Sequence, residues 1–125
     1  MTHIVVVDDV PVVRMVIAKI LQRAGYSVIE AGDGAEALSL VASQPIDVVV
    51  TDLWMPGQDG VSLLRLLKAR FPKVARVAVS GGSPQATMVD SLETAVSAGA
   101  TVAVMKPVDK DDLVDAVNQA LAEVR

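Results

Sequence analysis

Apolar positions follow two alternating rhythms, short solid runs and longer stretches spaced three and four residues apart, which predict strands and amphipathic helices in turn. The first run, His3 to Val7, ends abruptly at Asp8-Asp9. Pro11 suits the first turn of a helix, and Val13, Val16, Ile17, Ile20, Leu21 and Ala24 recur at helical spacing until Gly25, its expected left-handed cap. Tyr26 to Glu30 reads as a second, less apolar strand, suited to a sheet edge. Asp33 with Glu36 predicts a capping box for helix two, whose stripe is Ala35, Leu38, Val41 and Ala42.

The alternation continues after Pro45. Ile46 to Val50 is strand three, and Met55 to Gly60 a loop. Helix three, from about Val61 to Arg70, buries Leu63, Leu64 and Leu67 and is ended by Pro72. Val77 to Val79 is strand four, and Ser80-Gly81-Gly82 opens a loop. Ser83-Pro84 offers an N-cap and first residue for helix four, which ends at Gly99. Thr101 to Met105 is strand five. Asp109 caps a last helix with the stripe Leu113, Ala116, Val117, Ala120, Leu121 and Val124. Five strands alternating with five helices predict an α/β fold, a doubly wound parallel sheet covered on both faces. The solid runs of strands one and three fit inner parallel strands. With no repeat or linker, residues 1–125 read as a single domain.

Composition narrows the functions available. Hydrophobic residues make up 52% of the chain but aromatics only 2%, namely Tyr26, Trp54 and Phe71, too few for base-stacking platforms. The net charge of -4 and the lack of any basic run argue against nucleic acid as a partner. No cysteine is present, which excludes disulfides and thiolate chemistry. No stretch approaches a membrane span, and the amino terminus lacks a signal-peptide layout, so a cytoplasmic location is expected. His3 is the only histidine and lies before strand one, which leaves no base for a Ser-His-Asp triad and too few ligands for zinc. Met55, Met88 and Met105 read as fillers of gaps.

Polar residues with chemical potential fall at one kind of place. Asp8 and Asp9 follow strand one, Asp52 strand three, Ser80 strand four and Lys106 strand five. In an open α/β sheet, ligands bind outside the carboxyl ends of strands. Each residue alone has an ordinary explanation: an N-cap, strand-end polarity, a turn hydroxyl, a solvated charge. Together they make a costly cluster, since two carboxylates about 4 Å apart repel by roughly 4 kcal/mol at an effective dielectric near 20. Oxygen ligands in such a crevice suit Mg²⁺, and the set as a whole suits phosphoryl transfer, with Asp52 the natural nucleophile.

Val7-Asp8-Asp9, Thr51-Asp52-Leu53-Trp54-Met55-Pro56 with Asp59-Gly60, Val79-Ser80-Gly81 and Met105-Lys106-Pro107 resemble, in order and at matching spacing over the whole chain, receiver domains of two-component response regulators. The resemblance implies a flavodoxin-like strand order 2-1-3-4-5. It implies Asp52 as phosphoacceptor, and Asp9, Asp52 and the Trp54 backbone carbonyl as Mg²⁺ ligands, with Asp8 acting mainly through water. Lys106 would pair with the phosphoryl group, Ser80 would turn toward it, and the bond before Pro107 would be cis. The implied partners are a sensor histidine kinase or a histidine phosphotransfer protein, docking on the face with Val10, Pro11, Arg14 and Pro107, and an unknown downstream protein target. A monomer or weak dimer is expected. Because no output domain follows helix five, the expected output is protein contact or onward phosphotransfer.

Two departures stand out. Ala103 occupies the place where receivers usually carry Tyr or Phe, and the stretch from Ser80 to Gly99 is about four residues longer than usual. A hydroxyl-to-aromatic relay therefore cannot operate, and rearrangement of the Ser80–Pro84 loop and the start of helix four is expected instead. Trp54 and Gly82 match variable positions that, as the resemblance implies, influence the lifetime of the acyl phosphate in receivers; the indole either hinders attacking water or merely covers the loop. Two rivals compete. A Mg²⁺-dependent phosphatase would present Asp-x-Asp on one strand end and a cap insertion, and this chain has neither. A phosphorylation-independent interaction module is favoured by Ala103 but opposed by the intact acid, hydroxyl and lysine set.

Overall fold

The computed structural model describes residues 1–55, 60–80, 88–106 and 108–124, with the side chains of 88–92 left aside. Within them the chain alternates β1 (His3–Val7), α1 (Pro11–Arg23), β2 (Ser27–Ala31), α2 (Gly34–Ser43), β3 (Val48–Asp52), α3 (Gly60–Arg70), β4 (Ala75–Ser80), α4 (Met88–Ala98), β5 (Val102–Met105) and α5 (Lys110–Val124). The strands form one parallel sheet in the order β2-β1-β3-β4-β5, as the resemblance implies. β2 does lie at an edge, with β5 at the other.

Side chains alternate across each strand, so the runs of valine serve two cores at once. Ile4 and Val6, Val48 and Val50, Val77 and Val79 meet Ile17 and Leu21 of α1 and Leu113 and Val117 of α5. Val5, Val7 and Val49 face the other way, onto Ala37 and Val41 of α2 and Leu63 and Leu67 of α3. A smaller cluster of Leu53, Leu64, Ala78, Ala95 and Ala98 seats α3 and α4, with Trp54 and Ala103 packed against it. Every residue of β3 and β4 is buried, as inner parallel strands require.

Helix ends largely follow the sequence signals. Pro11 opens α1, and Gly25 follows it at φ +100, a conformation glycine adopts without strain. Asp33 Oδ1 accepts from the Glu36 N–H at 2.8 Å. Asp109 Oδ1 accepts from the Asp111 N–H at 2.7 Å, capping α5 as expected. The α3 stripe is buried as read, and so is that of α5 except for Val124, which is half-buried at its end. The α1 and α2 stripes need correction. Val16 is 49% exposed and Ala24, Ala35 and Ala42 also face solvent, while Ala18 and Ala37 are buried instead. Alanine fits either face of a helix, so its periodicity is a weak guide.

The strand bounds need correction too. β3 runs on through Thr51 and Asp52, and β4 spans Ala75–Ser80, taking in Arg76 and Ser80. Asp52 and Ser80 are thus the last residues of their strands rather than the first of the following loops.

Candidate functional site

Parallel topology brings the carboxyl ends of β1, β3, β4 and β5 to one edge of the sheet. Asp8 follows β1 directly and is buried; Asp52 ends β3 and Ser80 ends β4, both buried; Lys106 follows β5. One carboxylate oxygen from each of Asp8, Asp9 and Asp52 lies within 4.8 Å of the others. Lys106 Nζ reaches between two of them, 3.2 Å from Asp52 Oδ1 and 3.8 Å from Asp8 Oδ2. Lys106 is therefore not a solvated charge.

The backbone holds these side chains in place. The Leu53 N–H donates to the Val79 carbonyl at 3.1 Å, and the Lys106 N–H to the Ser80 carbonyl at 2.9 Å. The Gly60 N–H donates to the Leu53 carbonyl at 3.0 Å, pressing the start of α3 against the end of β3. Thr51 Oγ1 donates to the Asp52 carbonyl at 2.9 Å. Asp8 is held through its N–H, which donates to the Ala31 carbonyl at 3.2 Å, and through Oδ1, which accepts from the Val10 N–H at 2.9 Å. That bond is not a helix cap, because Val10 is itself the N-cap of α1 and no side chain caps that end. The capping explanation of Asp8 and Asp9 thus fails.

The two oxygens of Asp8 differ sharply. Oδ2 is buried and, among the described residues, has no hydrogen-bond partner. A buried anionic oxygen without a hydrogen-bond donor is costly even with an ammonium 3.8 Å away, and three carboxylates against one ammonium leave an excess of negative charge. An oxygen-seeking divalent cation answers both problems, so the donor set fits Mg²⁺. Asp9, the most exposed of the three, leaves one side of the cluster open to solvent.

Burial pushes the Asp52 carboxyl above its ordinary value of 3.8; Lys106 opposes the shift, while Asp8 and Asp9 add to it. The sign of the linkage follows. The folded state holds this proton more tightly than the unfolded chain, so stability falls as pH rises through the window above 3.8, and the loss is complete once Asp52 is ionised in both states. Asp52→Asn is therefore expected to melt at a higher temperature than the parent at neutral pH without divalent cations, the gap closing as pH falls toward 4. Added Mg²⁺ should then raise the melting temperature of the parent more than that of the variant. A variant that melts below the parent at neutral pH would contradict this.

Trp54 is half-buried and Ala103 half-buried beside the same small cluster. Pro56, Asp59, Gly81 and Pro107 of the quoted motifs lie outside the described residues, as do Gly82, Ser83 and Pro84 of the loop expected to rearrange. On the expected docking face, Val10 is 46% exposed, joined by Val12, Met15 and Val16. Arg14 differs, since its guanidinium bonds Glu30 and the Asp8 carbonyl. The sequence carried a sign of this, because a cation in the first turn of a helix opposes the helix dipole.

Three comparisons bear on this geometry. A family model described as the response regulator receiver domain matches residues 4–118. The chain is 34% identical to the chemotaxis protein CheY of Bacillus subtilis over 123 residues, covering 97% of this chain and 99% of that protein. It is 34% identical over 117 residues to the DNA-binding transcriptional regulator NtrC of Escherichia coli K12, but there it spans only 24% of the relative's length. Among solved structures, the receiver domain of NtrX from Brucella abortus matches with a TM-score of 0.85 at 30% identity, covering 95% of this chain and 98% of that one. A CheY-like receiver domain protein from Methanospirillum hungatei JF-1 matches with a TM-score of 0.86 at 25% identity, covering 99% and 96%.

Proposed function

The chain belongs to the response regulator receiver domain family, and from that premise we propose that it accepts a phosphoryl group on Asp52 from a histidine kinase or a histidine phosphotransfer protein. Receiver domains are signalling modules of two-component systems rather than classical enzymes. The observation that carries the assignment to Asp52 is its placement: a buried carboxylate 3.2 Å from Lys106 Nζ, with Asp8 and Asp9 beside it.

In the proposed step a carboxylate oxygen of Asp52 forms a bond to phosphorus while the bond from phosphorus to the donor nitrogen breaks, its electron pair leaving with the donor imidazole. Lys106 places a point charge beside the acceptor, where the negative charge of the phosphoryl oxygens gathers. Ser80, at the end of the neighbouring strand, supplies a hydroxyl at the same edge. Mg²⁺, with Asp9, Asp52 and the Trp54 carbonyl as its ligands and Asp8 acting through water, would supply the positive charge that three carboxylates cannot.

The exposed apolar face of α1, with Val10, Val12, Met15 and Val16, supports docking of the phosphodonor there. Output proceeds by contact with another protein or by onward transfer of the phosphoryl group, in the cytoplasm. Among the described residues no helix is long and apolar enough to cross a membrane. With Ala103 in place of an aromatic ring, the switch runs through the Ser80–Pro84 segment rather than through a swinging side chain.

The test uses acetyl phosphate as donor, with the phosphorylated form followed by intact mass. The parent should gain one phosphoryl group only in the presence of Mg²⁺, and Asp52→Asn none. Lys106→Ala should label roughly a hundredfold more slowly, the scale expected when one donor to the developing charge is removed. Labelling that persists in Asp52→Asn would overturn the assignment and favour a module that works by binding alone.

A further inference from the structure

We infer that Arg14 is a positioning residue for the acidic site, fixing the peptide between Asp8 and Asp9 so that Mg²⁺ binding depends on a side chain that does not touch the ion. The inference rests on the reading of Asp8, Asp9 and Asp52 as a magnesium site. Arg14 Nη1 donates to the Asp8 carbonyl at 2.9 Å, and Nε donates to Glu30 Oε1 at 3.1 Å. Its own N–H is held by the Val10 carbonyl at 3.0 Å, so the residue is anchored at both ends.

The carbonyl it grips occupies an exposed point of the framework. The ladders from β1 to β2 and to β3 both end at Val7, opposite Ala31 and Thr51. The Asp8 N–H still finds the Ala31 carbonyl, but the Asp8 carbonyl lies past the last rung and is met by Arg14 from α1. That carbonyl belongs to the peptide plane joining Asp8 to Asp9. Its tilt sets the direction in which Asp9 leaves the backbone relative to the buried Asp8. Glu30, on the neighbouring strand, holds the planar guanidinium so that its second edge points at the carbonyl.

A role in stability alone does not account for the arrangement. The pair with Glu30 has side chains 22% and 42% exposed, and ion pairs that accessible contribute little to folding. An arginine in the first turn also opposes the dipole of α1, so the helix gains nothing from it there. What the residue does hold is the backbone that orients two of the three carboxylates.

Charge and positioning predict opposite signs, which makes the inference testable. If Arg14 acted only through its field, removing a cation near the site would tighten Mg²⁺. If it positions the acids, removing it loosens Mg²⁺ by about tenfold, as loss of a group supporting metal ligands does. The experiment is titration of the parent, Arg14→Ala and Arg14→Lys with Mg²⁺, followed by calorimetry and by the emission of Trp54, the single tryptophan. Arg14→Ala should bind about tenfold more weakly. Arg14→Lys keeps the charge but lacks the rigid fork that presents separate nitrogens to Glu30 and the Asp8 carbonyl, and should stay several-fold weaker than the parent; it also provides the answer should the alanine variant not fold. Equal or tighter binding by Arg14→Ala, or parental binding by Arg14→Lys, overturns the inference. A parent that does not bind Mg²⁺ at all overturns the magnesium reading beneath it, a separate and recognisable failure.

Discussion

Gly60→Ala is expected to cost about 3 kcal/mol of folding free energy, the upper part of the range for forcing atoms into a filled site, and to slow phosphoryl uptake on Asp52 as well. A β-carbon at position 60 would lie 2.0 Å from the Asp52 carbonyl oxygen, 2.8 Å from Leu53 Cα and 3.0 Å from the Asp52 carbonyl carbon. All three atoms are backbone, so no side chain can swing aside to make room. Relief requires moving either the first turn of α3 or the end of β3, and the Gly60-to-Leu53 hydrogen bond holds the two together. Because β3 carries Asp52, the same displacement disturbs its approach to Lys106. Urea denaturation should show the midpoint falling with little change in slope. Labelling by acetyl phosphate, measured where the variant is still fully folded, should be slower than in the parent. A variant with a parental midpoint would show that the contact can be relieved without cost.

The second large effect is expected far from the acidic edge. Arg76→Leu should also lose about 3 kcal/mol, because it strips a charged donor from several buried carbonyls at once. Arg76 lies within β4 and is 8% exposed. Its Nε donates to the Gly99 carbonyl at 2.7 Å, and Nη1 donates to the Val74 carbonyl at 2.8 Å and the Pro72 carbonyl at 3.2 Å. Among the described residues no carboxylate pairs with it. The charge is instead met by carbonyl dipoles, including the one just past the end of α4, where a helix presents its negative pole. Burial pulls the guanidinium pKa down, yet an arginine remains charged at neutral pH. Leucine fills much of the space, so the loss reports on the orphaned carbonyls rather than on a cavity. Arg76→Lys, with a single ammonium in place of the fork, should recover less than half. Thermal and urea denaturation of the three proteins decides the matter, and a loss under about 1 kcal/mol for the leucine variant would mean that water replaces the guanidinium.

Arg76 also marks where the sequence is hard to read. The alternation of apolar runs with helical spacing identifies all five strands and all five helices, most plainly for the inner strands, whose runs must be buried on both faces of a parallel sheet. The strand tips are less legible. Thr51, Asp52 and Ser80 read as lying beyond strands three and four, because polar residues seldom lie in a buried ladder, yet they are the last residues of β3 and β4. Arg76 likewise reads as preceding strand four rather than belonging to it. In each case the partners that make burial tolerable come from distant segments: Lys106 beside Asp52, and Gly99 with the turn after α3 around Arg76. Local pattern cannot show such partners. The acidic cluster is legible for a different reason, since parallel topology alone brings Asp8, Asp52, Ser80 and Lys106 to one edge. Arg14 falls between these cases. Its position in the first turn of α1 is visible in the chain, but its bond to the Asp8 carbonyl emerges only when β1 and α1 are set side by side.

The location of Asp52 on β3 has one more consequence. β3 is the middle strand of five, laddered on both sides and buried along its whole length. Amides in such a strand open only when most of the domain opens, which makes it the last part of the molecule to yield. The proposed acceptor therefore hangs from the stiffest strand of the sheet. On that proposal, a phosphoryl group added there is not accommodated by its own strand giving way, and the response is expected in the segments beyond the strand ends.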